Sequence, residues 1–291
     1  MFMQLITITA PVFLAVGIGY FWGRRGWLFD NKGITLLVMY VGTPSLLITT
    51  FDKARPTPLA FAEMAVATLS AFVAMGLLGF LILRLFKLSA RDYLPALLFP
   101  NTGNIGLPIS LFAFQEAGMA LAIVVLAFSA VGNFTVGAGI ARGQANFKEM
   151  LRMPLIYAVF IGLLLVLTGL RLPLWVSNTF DLLGGFTIPL MLLALGVSLA
   201  RLKINGLLLS LGLSLVRLLG GFAIALLMAT LFQLDDLARN ILILQFSMPV
   251  AIYSYLFAMR YDRAGTEVAS MVMLSTLLSF LFLPLLLAWL L

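Results

Sequence analysis

The chain contains no cysteine and no histidine, and only 10% of its 291 residues are charged. The first two absences remove disulfides, thiolate nucleophiles, imidazole general bases and the usual zinc ligands together. With so few groups able to move a proton or attack a bond, no enzyme is expected, and no cofactor. The shortage of charge excludes more. Soluble domains are roughly 25% charged, so this inventory cannot cover a water-facing surface. What is present is apolar: 63% of residues are hydrophobic, mean hydropathy is +1.13, and apolar runs of about 18 or more residues recur between polar breaks. That pattern predicts an all-α integral membrane protein whose runs each cross a ~30 Å hydrocarbon core.

Ten spans are expected, near residues 5 to 23, 33 to 51, 62 to 84, 93 to 114, 120 to 141, 154 to 170, 180 to 200, 206 to 231, 237 to 259 and 266 to 290. The formal charge of +7 reads as a topology signal, not a nucleic-acid surface, because the basic residues sit in short loops beside apolar ends. Arg24, Arg25, Lys32, Arg84, Lys87, Arg91, Arg142, Lys148, Arg152, Arg201, Lys203, Arg260 and Arg263 fall in the odd-numbered loops, against Lys53, Arg55, Arg171 and Arg239 in the even ones. That imbalance predicts cytoplasmic odd loops and both termini on the periplasmic side of a bacterial inner membrane. Met1 to Tyr20 lacks the positive start of a signal peptide and reads as a retained first helix.

The chain repeats itself at an offset of 145 residues. Gly42-Thr43-Pro44-Ser45-Leu46-Leu47 resembles Thr187-Ile188-Pro189-Leu190-Met191-Leu192, and Leu111-Phe112-Ala113 maps onto Leu256-Phe257-Ala258. Residues 1–141 would form the first five spans, 142–153 a short cytoplasmic linker and 154–291 the second five. Five is odd, so the second repeat would be inverted, a geometry suited to alternating access.

Span four holds Phe99-Pro100-Asn101-Thr102-Gly103-Asn104-Ile105-Gly106-Leu107-Pro108, which cannot remain an unbroken helix. Its matching stretch in span nine runs Gln245-Phe246-Ser247-Met248-Pro249-Val250-Ala251-Ile252-Tyr253. Paired interruptions at membrane depth point to a transporter's substrate site, where half-helix N-termini attract anions. Asn101, Thr102, Asn104, Gln245, Ser247 and Tyr253 are the candidate binding residues, with Gly103, Gly106, Pro108 and Pro249 shaping the breaks. Arg217 lies inside span eight, where an arginine requires a partner or a wet cavity. No acidic residue sits inside a facing span, so substrate or broken-helix carbonyls are its alternatives. Asn133, Ser275, Thr276 and Ser279 are weaker candidates for the same polar cavity.

The Asn101–Pro108 run, the Ser247–Ala251 break, Pro44, Pro189 and the ten-span length resemble the auxin efflux carrier family, which includes plant PIN-FORMED auxin exporters and bacterial permeases for malate, malonate and related acids. The likeness covers essentially the whole chain. It implies a fold shared with bile-acid sodium symporters and sodium/proton antiporters of the NhaA type: a scaffold of spans 1, 2, 6 and 7, and a transport domain of spans 3 to 5 and 8 to 10. It further implies that spans four and nine cross at their broken centres, that two copies join through the scaffold, and that the crossover moves like an elevator. Carboxylate recognition carries over to Asn101 and Asn104, with Pro108 and Pro249 as the breaks. The long plant loop between spans five and six is reduced to roughly Arg142 to Met153, and the plant acidic–basic pair of span three has no match within residues 64 to 83.

The expected function is secondary transport of a small organic anion, a carboxylate such as malate, malonate or an auxin-like acid. The expected partners are that anion, the lipid bilayer and a second copy, with no nucleic acid. Sodium coupling through oxygens of Thr102, Gln245 and Ser247 stays open, as does proton coupling. A non-transporting membrane sensor or structural subunit is the reading from another class.

Overall fold

The computed structural model describes residues 2–143, 153–202 and 205–291. Most of the expected linker, with Lys148 and Arg152, and also Lys203, lies outside the described residues.

All regular structure among the described residues is helical. Helix α1 (Phe2–Arg24) is followed by α2 (Asn31–Leu37), which passes through a π-turn (Val38–Gly42) into α3 (Thr43–Ala54). Next come α4 (Pro58–Leu85) and α5 (Ala90–Leu98), after which the chain breaks. It restarts through a π-turn (Thr102–Gly106) as α6 (Leu107–Gly132) and passes a third π-turn (Asn133–Gly137) into α7 (Ala138–Arg142). The remainder is α8 (Pro154–Thr168), α9 (Leu174–Gly185), α10 (Thr187–Arg201), α11 (Leu207–Leu231), α12 (Asp236–Phe246), α13 (Ile252–Arg260) and α14 (Gly265–Leu290). Short polar side chains set several starts: Asp30, Thr57 and Asp235 accept the amides of Gly33, Ala60 and Ala238, supplying partners that a first helical turn lacks.

Seven helices among the described residues are long and apolar enough to cross a membrane: Met3–Arg24, Asn31–Ala54, Pro58–Leu85, Thr102–Arg142, Leu174–Arg201, Leu207–Leu231 and Gly265–Leu290. The other expected spans fall short for identifiable reasons. Helix α8 has 15 residues, and α5, α12 and α13 are pieces of interrupted helices. Thr102–Arg142 is 41 residues long, about 60 Å at 1.5 Å per residue, twice a ~30 Å core. It leaves helical geometry at Gln115, with φ 56° and ψ −158°.

Large apolar side chains face outward along these helices, among them Leu14, Ile18, Leu69, Val73, Leu77, Leu81, Leu281 and Leu285. Contiguous apolar surface of this kind drives association in water and is matched by hydrocarbon. The protein is an integral membrane protein.

Two sets of contacts position the interior. Helix α1 lies along α10 almost backbone to backbone, because Gly19 meets the Leu193 carbonyl and Gly196 meets that of Val16, leaving no room for a Cβ at either. Helix α3 packs on α8 and α9. Gly42 sits against Thr187, so the two stretches matched at the 145-residue offset touch one another. Separately, α11 packs against α4, α12 and α14, and α4 against α5.

Candidate functional site

The first interruption falls at Phe99-Pro100-Asn101, earlier than Pro108. Pro100 has no amide hydrogen and holds Phe99 extended, at φ −103° and ψ 112°. Pro108 instead occupies the first turn of α6, where a missing N–H leaves no helical bond unmade. In the second interruption the helix ends at Phe246 and resumes at Ile252, with Pro249 between.

The two breaks run antiparallel, side by side, with Pro100 opposite Val250. The Asn101 amide donates to the Pro249 carbonyl at 2.7 Å, and the Ala251 amide donates to the Phe99 carbonyl at 3.1 Å. Each break thereby satisfies polar backbone freed by the other, as a low-dielectric interior requires. The Val250 amide donates to Ser275 Oγ at 3.0 Å. Ser275, Thr276 and Ser279 are buried; Thr276 and Ser279 bond carbonyls of their own helix.

This pairing gathers four helix ends. The C-termini of α5 and α12 converge on Arg217, which is fully buried in α11. Its Nη1 donates to the carbonyls of Leu97 (2.7 Å) and Leu98 (3.4 Å), and its Nη2 donates to the carbonyl of Phe246. Arg217 does not line the cavity described next; of the alternatives open in the sequence, the broken-helix carbonyls are its partners.

The helix starts at Thr102 and Ile252 face a cavity of about 290 Å³. Asn101, Thr102, Gly103, Asn104, Asn133 and Tyr253 all line it. Asn101 Oδ1 accepts the Asn104 amide at 3.3 Å, while its Nδ2 is buried without a partner. Asn133 Oδ1 is likewise buried and unpartnered, and the Tyr253 ring packs on Phe134 with centroids 5.3 Å apart.

Gln245, Ser247, Gly106, Pro108 and Pro249 do not line the cavity. Gln245 Nε2 donates to Ser110 Oγ at 2.9 Å, and Gly106 abuts the Gln245 amide, where a Cβ would overlap it. Ser247 is fully buried. The oxygens of Thr102, Gln245 and Ser247 are therefore divided, the first lining the cavity and the others enclosed behind it.

Several lining residues escaped the sequence reading: Asn31, Thr35, Thr43, Ser129, Ser198 and Arg201. Asn31 Nδ2 donates to Ser198 Oγ at 2.8 Å, leaving its Oδ1 buried and unpartnered. Asn31 and Arg201 stand at helix ends, where polar residues are ordinary, so no local signal separates them from loop residues. The lining reaches helix ends at Asn31, Pro154 and Arg201 and none at Ala54, Thr168 or Leu174; the cavity opens toward the former. Two helix N-termini, each equivalent to roughly +0.5 charge, border the cavity, Arg201 stands near its mouth, and the unpartnered Asn101 Nδ2 is buried behind its wall. The volume suits a small ligand.

A model of the membrane transport protein family matches residues 4–146 and 140–287. The chain is 26% identical to an uncharacterized transporter of Methanocaldococcus jannaschii over 94% of its own length and 95% of the relative's. It is 25% identical to an uncharacterized transporter of Methanothermobacter thermautotrophicus, covering 98% of each. With the uncharacterized transporter YfdV of Escherichia coli it shares 21% identity over 88% of this chain and 89% of that one.

Proposed function

The chain belongs to the membrane transport protein family of the auxin efflux carriers, and from that premise we propose that it carries a small organic anion through the cavity at the crossing of its broken helices. The observation that carries this reading is the convergence of two half-helix N-termini on one cavity, with the buried, unpartnered Asn101 Nδ2 behind its wall. A carboxylate such as malate, malonate or an auxin-like acid fits that chemistry.

In this reading ten spans form two inverted repeats: α5 with the stretch up to Gln115 is span four, the rest of Thr102–Arg142 is span five, and α12 with α13 is span nine. The close α1–α10 contact and the α3–α8–α9 packing support a scaffold body, and the α4, α5, α11 and α12 contacts a transport body. Elevator-like sliding of the second past the first would expose the cavity alternately, in a homodimer joined through the scaffold. With basic loops cytoplasmic and termini periplasmic in an inner membrane, a mouth at Asn31 and Arg201 makes this state inward-open.

Uptake of labelled malate, malonate and indole-3-acetate into proteoliposomes tests the proposal, comparing wild type with Asn101→Ala and Asn104→Ala. At least one anion moves in wild type, and its flux falls in the Asn101 variant. Flux of none of them, or flux indifferent to both substitutions, contradicts the crossover site.

A further inference from the structure

We infer that Arg217 is a tethered counter-cation for the anion cavity: its guanidinium neutralises the two C-terminal helix ends at the crossover, so the two N-terminal ends act on the cavity unopposed. The inference deepens the anion reading and rests on it in one respect only, the effect on anion affinity.

The charge arithmetic is direct. A helix end carries the equivalent of roughly half an elementary charge, so the ends of α5 and α12 together present about −1, and one guanidinium cancels them. The two facing N-termini contribute about +1 on the cavity side, a match for a monoanion or one carboxylate of a diacid. Without Arg217, positive and negative ends meeting at one crossing would largely offset one another.

The geometry is built for this contact. Arg217 bonds carbonyls from both interrupted helices, Leu97 and Leu98 on one and Phe246 on the other. One turn further along α11, Gly221 lies against the Phe246 carbonyl and Arg217 Nη2, where a Cβ would overlap both. No ion pair among the described residues involves Arg217, so its charge is balanced by carbonyl dipoles. An apolar side chain of similar volume would fill the space without burying a charge, so packing alone gives no reason for an arginine. In transporters with broken helices, such carbonyl ends are where a coupling cation is coordinated. Here a guanidinium fills that position.

The test uses the purified full chain in nanodiscs, with two readouts: equilibrium binding of the anion that wild type transports best, and melting temperature. Wild-type affinity stays unchanged when choline replaces sodium. Arg217→Met binds the anion about tenfold or more weakly while binding of its neutral amide analogue is unchanged, and millimolar guanidinium chloride raises the melting temperature of Arg217→Met but not of wild type. Arg217→Lys, which keeps the charge, retains most of the affinity. Wild-type binding that requires sodium overturns the inference, as does wild-type anion affinity in Arg217→Met or equal loss for the anion and its amide. If Arg217→Met does not fold, the sodium and lysine arms decide: sodium-independent wild-type binding with retention in Arg217→Lys supports it, and either result reversed overturns it. Absence of any anion binding by wild type defeats the anion reading separately. The guanidinium-dependent melting shift then still decides whether Arg217 holds a cation position.

Discussion

At Phe99-Pro100-Asn101 the chain resumes its helix with an asparagine whose Nδ2 is free, whereas between Phe246 and Ile252 it resumes with Val250 and Ala251. Both breaks depend on a proline and each supplies main-chain partners to the other. The first places Asn101, Thr102 and Asn104 on the cavity wall; the second places Tyr253 there and keeps Gln245 and Ser247 inside protein. In the proposed reading matching topology divides the labour: the first break is assigned ligand recognition, and the second a helix start, a backbone partner and shape.

Substitutions can break or sharpen this division. Asn101→Asp puts a carboxylate at the cavity wall; anion uptake in proteoliposomes should fall about 100-fold or more, because a donor is lost and a repulsive charge gained, together about 3 kcal/mol or more. Ser275→Ala removes the acceptor of the buried Val250 amide; it should cost about 1–3 kcal/mol of stability, read as a lower melting temperature in nanodiscs with the order of substrate preference unchanged. Asn133→Ala deletes a buried acceptor that has no protein partner. It should weaken binding about three- to tenfold, and only for anions that also carry a hydroxyl or other donor, consistent with one neutral hydrogen bond of about 0.5–1.5 kcal/mol. Ser247→Ala should be the mildest, within about 1 kcal/mol in stability and without effect on uptake, since its hydroxyl is unpartnered and outside the cavity. Uptake lost in Ser247→Ala as deeply as in Asn101→Asp would erase the distinction between the breaks.

What sequence could reveal follows the range of each interaction. Proline and glycine act on their own backbone, so the interruptions near Pro100 and Pro249 were readable, although Pro108 drew attention that belongs to Pro100. The two differ in context: Pro100 ends a helix, and Pro108 rides in the first turn of the next. Asn101, Thr102 and Asn104 share a turn with the break and line the cavity beside it. Gln245 and Ser247 share a turn with the other break and face away, because sequence proximity fixes depth but not direction. Arg217 stood out by its charge, yet its partners are carbonyls 119, 120 and 29 residues distant, and main-chain acceptors have no residue signature. Asn31, Ser198 and Arg201 became visible only when distant helix ends were brought together around one mouth.

The central claim is that an anion occupies the cavity between the broken helices, and the lack of native cysteine allows it to be tested at one site. Ala130 lines the cavity, so Ala130→Cys places a lone thiol on its wall. Labelling by a membrane-impermeant maleimide should proceed from the side of Asn31 and Arg201 and be slowed by the transported anion, but not by its neutral amide. A labelling rate that no transported anion alters, or that anion and amide alter equally, would contradict it.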